Sequence, residues 1–542
     1  MQGIRSERIG LVTATRSGVQ VRLSWRQILF LASAALLLGA WGLQVNSYPS
    51  VADDSGRYLV LGQSLARTGD LRLLNAPHQP LDTLYPPGYP ALIAFWIRLI
   101  GSDLDRVVLM VKTMQAGLLI ALLPMLYALF ERARLSKGSR AVALLICALC
   151  PALLCSANSV MSEIPFLFLC LASVLPVERD TRTAEEADRP QAWKRWLSLG
   201  CAVAAFLIRT AGVALLLALV GTFWRRFGWR WGALAALLTV ACLGGWQARN
   251  HHIVAHSPPG VSHATYLHQF FIRDPANPAA GHIPPNLAGL CERIRTGLPT
   301  YIGMIPRAVL LVMSPPDTFW GVWFYLLAIP LTLLILLGFV LALRSGMALS
   351  GVFTALFWLQ AALWPWHSAR FLLPLVPFFL LYLFLGVEWV SARLKRAWGV
   401  PRTRLIEVAA GLLLLGYFLQ VHGRLIRLTR LQGRTREEAG FYAACAWLKA
   451  NAPDGSLVMG RPAYLLSLYS GHPTTQIEPK TDPFLLESRF MQPQHVRYLV
   501  EDAWWWAHSE RYLRPYLRAF AGRWKPVWKD PAGSRVRIWQ RN

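Results

Sequence analysis

Residues 27–45 read QILFLASAALLLGAWGLQV, an apolar run that follows the basic residues Arg5, Arg8, Arg16, Arg22 and Arg26. About 20 apolar residues rising 1.5 Å each cross the hydrocarbon core of a bilayer as one helix. A cleaved signal peptide has a shorter apolar stretch, about 7–15 residues, ending in a small-x-small site. Ala40-Trp41-Gly42 matches that site poorly, so the run predicts an uncleaved first transmembrane helix.

Runs of the same kind recur at 107–130, 141–155, 160–177, 197–208, 212–224, 231–247, 322–343, 349–364, 371–390 and 405–421. They predict an α-helical polytopic membrane protein with about 11 transmembrane helices. Composition agrees: 54% hydrophobic residues, 15% charged residues and a mean hydropathy of +0.37 over 542 residues leave an apolar surplus that lipid must cover. The eight cysteines lie mostly inside these runs, where they act as small hydrophobes. Cys147 and Cys150 have C-x-x-C spacing but lack a second pair or a nearby histidine, so no redox or zinc role follows.

The formal charge of +26 does not point to nucleic acid, because Lys and Arg are scattered over short segments between the spans. With the N-terminus placed inside, the basic clusters Arg132–Arg140, Arg179–Arg195, Arg225–Arg230 and Arg393–Arg404 all fall on the cytoplasmic side, facing anionic lipid. That parity splits 197–224 into two helices. It places loops 46–106 and 249–321, and everything after Val421, outside an inner or plasma membrane. The cytoplasmic loops are too short for a nucleotide-binding fold, and no P-loop or G-x-G-x-x-G follows a strand. Charged residues of both signs in 181–189 read as a solvated linker.

The expected organisation is a cytoplasmic segment 1–26, a multi-helix catalytic region 27–432 and a small extracytoplasmic α/β domain 433–542. In the last, 437–450 reads as a helix and 456–459, 497–500 and 536–539 as strands, separated by turns such as Pro453-Asp454-Gly455. Trp504-Trp505-Trp506 reads as an interfacial anchor, with sugar stacking as the other use of such a run.

The first external loop carries the densest set of chemical groups: Asp53, Asp54, Arg57 and Tyr58, then Gly69-Asp70, then Tyr85-Pro86-Pro87. Paired carboxylates supply a general base when burial and repulsion raise one of them toward working pH. The alternative is that Asp54 caps the helix starting near Ser55. Glu163, after Met161-Ser162, opens another helix on the same side, where a carboxylate is also favoured by the helix dipole. Arg57, Arg209 and Arg370 stand at external helix ends, suited to bidentate phosphate contact or to snorkelling toward headgroups.

This order and spacing resembles the C-superfamily glycosyltransferases, especially glycosyltransferase family 39 and its bacterial relatives, which include protein O-mannosyltransferases and lipid A aminoarabinose transferases. Asp54 and Tyr58 fit a D-x-x-x-Y spacing, with a register shifted to Asp53 left open. Gly69-Asp70, Pro86-Pro87, Glu163, Arg209 with Gly212, and Arg370-x-x-x-Pro374-x-x-Pro377 follow in the family's order. Tyr85 departs from the aminoarabinose-transferase branch, which has Lys before the proline pair. The resemblance implies a C-superfamily fold and transfer of a sugar from a polyprenyl-phosphate donor to an extracytoplasmic lipid, glycan or protein, with inversion. It further implies Asp54 or Asp53 as base, Glu163 as acidic partner, and Arg57, Tyr58, Tyr85, Arg209 and Arg370 as substrate contacts. No cofactor is assigned; a divalent metal stays open.

Two other patterns compete for attention. Asp103-Leu104-Asp105 has the D-x-D form of soluble nucleotide-sugar enzymes but stands at the start of a membrane helix, where a first-turn role is expected. His251, His252, His256, His263 and His268 crowd one external loop without a matching carboxylate or H-E-x-x-H pattern, so they read as loop histidines. A multi-pass lipid or solute transporter is the rival class, with a non-enzymatic scaffold third. Transporters usually show internal repeats and ionisable groups at the membrane midplane, neither of which is evident here.

The parity has a direct test. On a cysteine-free background, single cysteines placed between Asp54 and Tyr89, or after Gly433, should react with an impermeant maleimide in intact cells. Labelling only after permeabilisation would reverse the assignment.

Overall fold

The computed structural model describes residues 23–49, 53–178, 192–257, 265–274, 281–310, 319–398, 403–427, 435–477, 482–502 and 509–542. The linker 181–189, His263 and the Trp504–Trp506 run lie outside the described residues, and so does the side chain of Asp53.

Helices occupy each of the apolar runs. The first, α1 (Trp25–Gly42), starts at a reciprocal capping box in which Ser24 and Gln27 satisfy each other's backbone N–H groups. Next come α4 (Leu104–Arg132), α5 (Lys137–Ala148) and α6 (Pro151–Ala157). Pro151 separates the last two: it has no N–H to donate, which suits the first turn of a new helix. They are followed by α7 (Glu163–Val174), α8 (Ala192–Ile208), α9 (Val213–Phe227) and α10 (Trp229–Ala255). The late helices are α13 (Phe319–Arg344), α14 (Ala348–Leu363), α15 (Val376–Trp398) and α16 (Thr403–Ile426). Among the described residues, six helical stretches are long and apolar enough to cross a membrane, and five more are apolar but shorter.

Between α8 and α9 the chain breaks as the basic clusters predict. Arg209 is extended (φ −150°, ψ 126°), and a 3-10 turn, Thr210–Gly212, restarts the helix. A side chain at Gly212 would approach the backbone nitrogen of Phe206 to 2.6 Å, so the turn closes only over glycine.

Segments 46–106 and 249–321 hold more helix than periodicity predicts. The first contains α2 (Asp53–Thr68) and α3 (Gly88–Ile100); the second contains α11 (Tyr266–Phe270) and α12 (Leu287–Leu310). Helix α10 continues through Arg249, His251 and His252 to Ala255, past the point where the loop was expected to begin, because no breaker occurs before Pro258 and Pro259.

After α17 (Arg436–Asn451) comes a five-stranded sheet in the order β2-β1-β3-β5-β4. Its strands are β1 (Val458–Met459), β2 (Thr474–Thr475), β3 (Tyr498–Glu501), β4 (Trp524–Lys529) and β5 (Arg537–Arg541). β1 runs parallel to both β2 and β3, whereas β5 is antiparallel to β3 and β4. Helix α18 (Ala463–Ser470), which follows β1, rests on α2: a side chain at Gly56 would reach the Cβ of Tyr464 at 2.8 Å. Thr474 N donates to the Asn75 carbonyl at 2.6 Å, adding a second tie between the sheet and segment 46–106.

Helices α13 and α15 touch backbone to backbone. A methyl group at Gly338 would collide with the carbonyl oxygen of Tyr382, and one at Gly386 with that of Leu334. In lipid, where apolar side chains gain nothing by leaving the solvent, such close approach through small residues is what holds helices together. Gly338→Ala should therefore destabilise the detergent-solubilised protein by about 1–3 kcal/mol. Gly416→Ala, on a helix face with nothing within 4 Å, should be neutral or slightly stabilising. Equal thermal midpoints for the two variants would show that the glycine contact contributes no stability.

Candidate active site

The site is built from four separate pieces of chain. Asp54 lies in the first turn of α2, and no cap hydrogen bond is needed to account for it: its Oδ1 accepts from the Tyr85 hydroxyl and its Oδ2 from the Arg370 guanidinium. Glu163 is the first residue of α7, buried at 1% exposure, with Arg209 Nη1 at 2.8 Å and Arg370 Nε at 3.4 Å. Arg209 is delivered by the break between α8 and α9. Arg370 comes from the 3-10 run Ala369–Leu375 before α15, opened by Ser368, whose hydroxyl accepts from Arg370 N. Two carboxylates and two guanidinium groups thus neutralise one another, with Arg370 spanning both acids.

Tyrosines line the cluster. Tyr58 packs between the rings of Tyr85 and Tyr89 at centroid distances of 4.5 and 4.7 Å, and its hydroxyl meets Ser162 Oγ at 3.0 Å. Ser162 also accepts from Arg209 Nη1 at 3.3 Å, so this one hydroxyl links α2, α7 and the α8–α9 break. Tyr266 of α11 stands against Trp364 at 5.6 Å.

Burial alone would raise the Asp54 pKa. The charge of Arg370, the hydrogen bonds from Tyr85 and Arg370, and the charge of Arg209 together outweigh it and hold the carboxyl below its ordinary value. Burial moves the tyrosines the other way: Tyr85 and Tyr58 are raised above their ordinary value, with the negative charge of Asp54 adding to the effect. Tyr266 is pushed up to about 12, mainly by burial. At neutral pH the site therefore presents an ionised Asp54 and neutral phenols that donate hydrogen bonds.

The structure brings Asp54, Tyr58, Tyr85, Glu163, Arg209 and Arg370 together. Arg57 is engaged elsewhere, in a buried ion pair with Asp82 whose two side chains are 11% and 0% exposed. Its guanidinium also lies over the rings of Tyr85 and Tyr464, at 5.0 and 5.7 Å. Asp82, which the motif reading passes over, organises the turn that carries Tyr85: its Oδ2 accepts from Leu84 N (3.2 Å) and Tyr85 N (2.7 Å). Arg249 donates to the Asp82 carbonyl and Asn250 to that of Thr83, both at 2.9 Å. A sequence signal for this role exists, since Asp commonly accepts from the backbone two or three residues on; it is too frequent a pattern to single out one aspartate.

The competing patterns take modest roles. Asp103 caps α4 by accepting from Arg106 N at 3.2 Å. His252 and His256 are exposed and stacked at 4.2 Å, with His256 Nδ1 2.8 Å from the His252 carbonyl. Among the described residues no three His, Cys, Asp or Glu side chains stand together as a metal site. Cys147 and Cys150 are buried free thiols.

This architecture, an apolar helical body with a small C-terminal sheet region, is shared with solved structures. Among solved structures, the chain is similar to ArnT from Cupriavidus metallidurans in the apo state (TM-score 0.57, 14% identity, 94% of this chain and 97% of that one). The undecaprenyl phosphate-bound form of that protein gives a TM-score of 0.56 at the same identity and coverage. The archaeal oligosaccharyltransferase AglB from Archaeoglobus fulgidus, solved with an inhibitory peptide and a dolichol-phosphate, gives 0.56 at 12% identity, over 96% of this chain and 74% of that one. No protein-family model matches the chain, and neither does any curated protein.

Breaking the Arg57–Asp82 pair from one side would leave a buried guanidinium unpaired. Asp82→Asn should cost about 3–5 kcal/mol of stability, whereas Arg57→Met with Asp82→Leu should recover much of it. A thermal midpoint for Asp82→Asn equal to wild type would remove the pair from the account of how Tyr85 is placed.

Proposed function

We propose that this protein is a membrane glycosyltransferase that moves a sugar from a polyprenyl-phosphate donor to an extracytoplasmic acceptor. The observation that carries the reading is Arg370 lying between Asp54 and Glu163, with Arg209 alongside, in a fold shared with proteins solved around undecaprenyl phosphate and a dolichol-phosphate. Such a donor has its tail in lipid and its phosphate at the interface. The chemistry needs cations there and a base beside the acceptor hydroxyl.

In this mechanism Asp54 takes the proton of the acceptor O–H while the acceptor oxygen attacks the anomeric carbon. The bond from that carbon to the phosphate oxygen breaks, its electron pair leaves with the phosphate, and Arg209 and Arg370 stabilise the charge that develops. One displacement inverts the anomeric centre. Each oxygen of Asp54 accepts one hydrogen bond, which leaves a lone pair on each for the incoming proton, and the carboxylate becomes more basic when a donor turns away. Arg370 is the group with a reason to turn, because the donor phosphate offers it a second anion. Glu163, almost inaccessible, keeps Arg209 in place, and Tyr58 and Tyr85 present hydroxyls to the substrate. The site and the C-terminal α/β domain 433–542 would face outward from the plasma or inner membrane, with residues 1–26 inside.

Purified protein should turn over a polyprenyl-phosphate sugar and leave the corresponding nucleotide sugar untouched; efficient use of the soluble donor alone would sink the proposal. Asp54→Asn preserves side-chain size and should lower turnover by about 10²–10⁴-fold with little loss of stability. Arg370→Gln removes the charge that holds the Asp54 pKa down, so burial prevails and that pKa rises. Activity, which needs the ionised carboxylate, should then fall away at higher pH than in wild type. An acid limb that stays in place or moves to lower pH would separate Arg370 from the base.

A further inference from the structure

Helix α4 carries two polar side chains on one buried face in the N-terminal half of a helix long and apolar enough to cross a membrane: Lys112, 1% exposed, and, one turn on, Gln115, fully buried. A lysine within a membrane span is costly and is retained where it performs a task. Lys112 Nζ donates to the Asn46 carbonyl (2.9 Å), Asn46 Oδ1 (2.8 Å) and the Tyr48 carbonyl (2.6 Å), three oxygens for the three N–H directions of an ammonium. These residues belong to the segment leading from α1 into α2, where Asp54 sits. Gln115 Nε2 donates to the Ser159 carbonyl at 2.6 Å. The same carbonyl accepts from Met161 N at 3.0 Å and so begins the turn that delivers Ser162 and Glu163.

One rigid helix therefore grips both segments that carry the site's acids. The segments are also braced against each other, Ser55 Oγ to Met161 Sδ at 3.4 Å and Tyr58 to Ser162 as above. We propose that Lys112 and Gln115 are positioning residues that set the spacing between Asp54 and Glu163, and with it the place of Arg370 between them. The proposal rests on the reading of Asp54 as the base. Neither side chain touches substrate; Lys112 acts on the oxygens of Asn46 and Tyr48, and Gln115 on the Ser159 carbonyl. A misplacement of about 1 Å at a reacting group costs on the order of 10²-fold in rate.

The test is a double-mutant cycle on the full-length protein in detergent or nanodiscs, with a polyprenyl-phosphate sugar as donor. Lys112→Met and Gln115→Met should each lower kcat by about 10–100-fold while leaving KM for the donor unchanged, and Lys112→Arg, which keeps the donors, should restore part of the loss. In an Asp54→Asn background, Lys112→Met should add nothing, because its effect passes through that carboxylate. Should Lys112→Met fail to fold, Gln115→Met, a neutral exchange of similar size, carries the test alone. Unchanged kcat in the folded variants would overturn the proposal, and so would full multiplication of the losses with Asp54→Asn. The Asp54→Asn variant alone reports on the base: if it turns over like wild type, that reading fails and the positioning role falls with it.

Discussion

Arg370 is the contact on which the site depends. Its guanidinium meets Asp54 from α2 and Glu163 from the start of α7, while its own backbone begins the helical run into α15. Three regions far apart in sequence are thereby fixed to one planar group. The energetic logic is that of a buried ionic cluster: each charge is tolerable only while the others are present. Such a cluster adds little net stability compared with an apolar core. It fixes the positions of its members relative to one another.

Much of the architecture was legible because the bilayer restricts what a chain can do. Apolar length sets the helices, and the alternation of basic clusters split 197–224 at the residue where the backbone turns extended, Arg209. Asp54, Glu163, Arg209 and Arg370 were legible as candidates because charged residues are few in so apolar a chain and these four stand at the edges of its apolar runs. Their mutual pairing was not, since nothing local to Asp54 indicates a partner 316 positions away. Arg57 shows the limit clearly. From the sequence it has the same standing as the other two arginines, and only the fold reveals Asp82 beside it. The short strand β2 escaped for a related reason, because the two residues Thr474–Thr475 carry no period and are defined by the neighbours they pair with.

The C-terminal sheet region is joined to the chemistry through α2. Gly56 lets α18 approach that helix closely, and Tyr464 lies over the guanidinium whose partner, Asp82, organises the turn bearing Tyr85. From Tyr464 to Asp54 the path is a ring face, an ion pair, a backbone turn and a phenol hydroxyl. A region that reads in isolation as an appended α/β module is thus part of the wall that supports the acidic group.

The glycine contact between α13 and α15 bears on how fast the site can change. With Gly338 and Gly386 seated against carbonyl oxygens, α15 has no room to slide along its neighbour. Arg370, at the head of that helix, can therefore change partners only by rotating its own side chain. Rotamer changes of exposed side chains take picoseconds to nanoseconds, whereas collective helix shifts take microseconds to milliseconds. Held in two ion pairs and only about one-third exposed, Arg370 turns more slowly than a free surface side chain, yet its motion asks no helix to move.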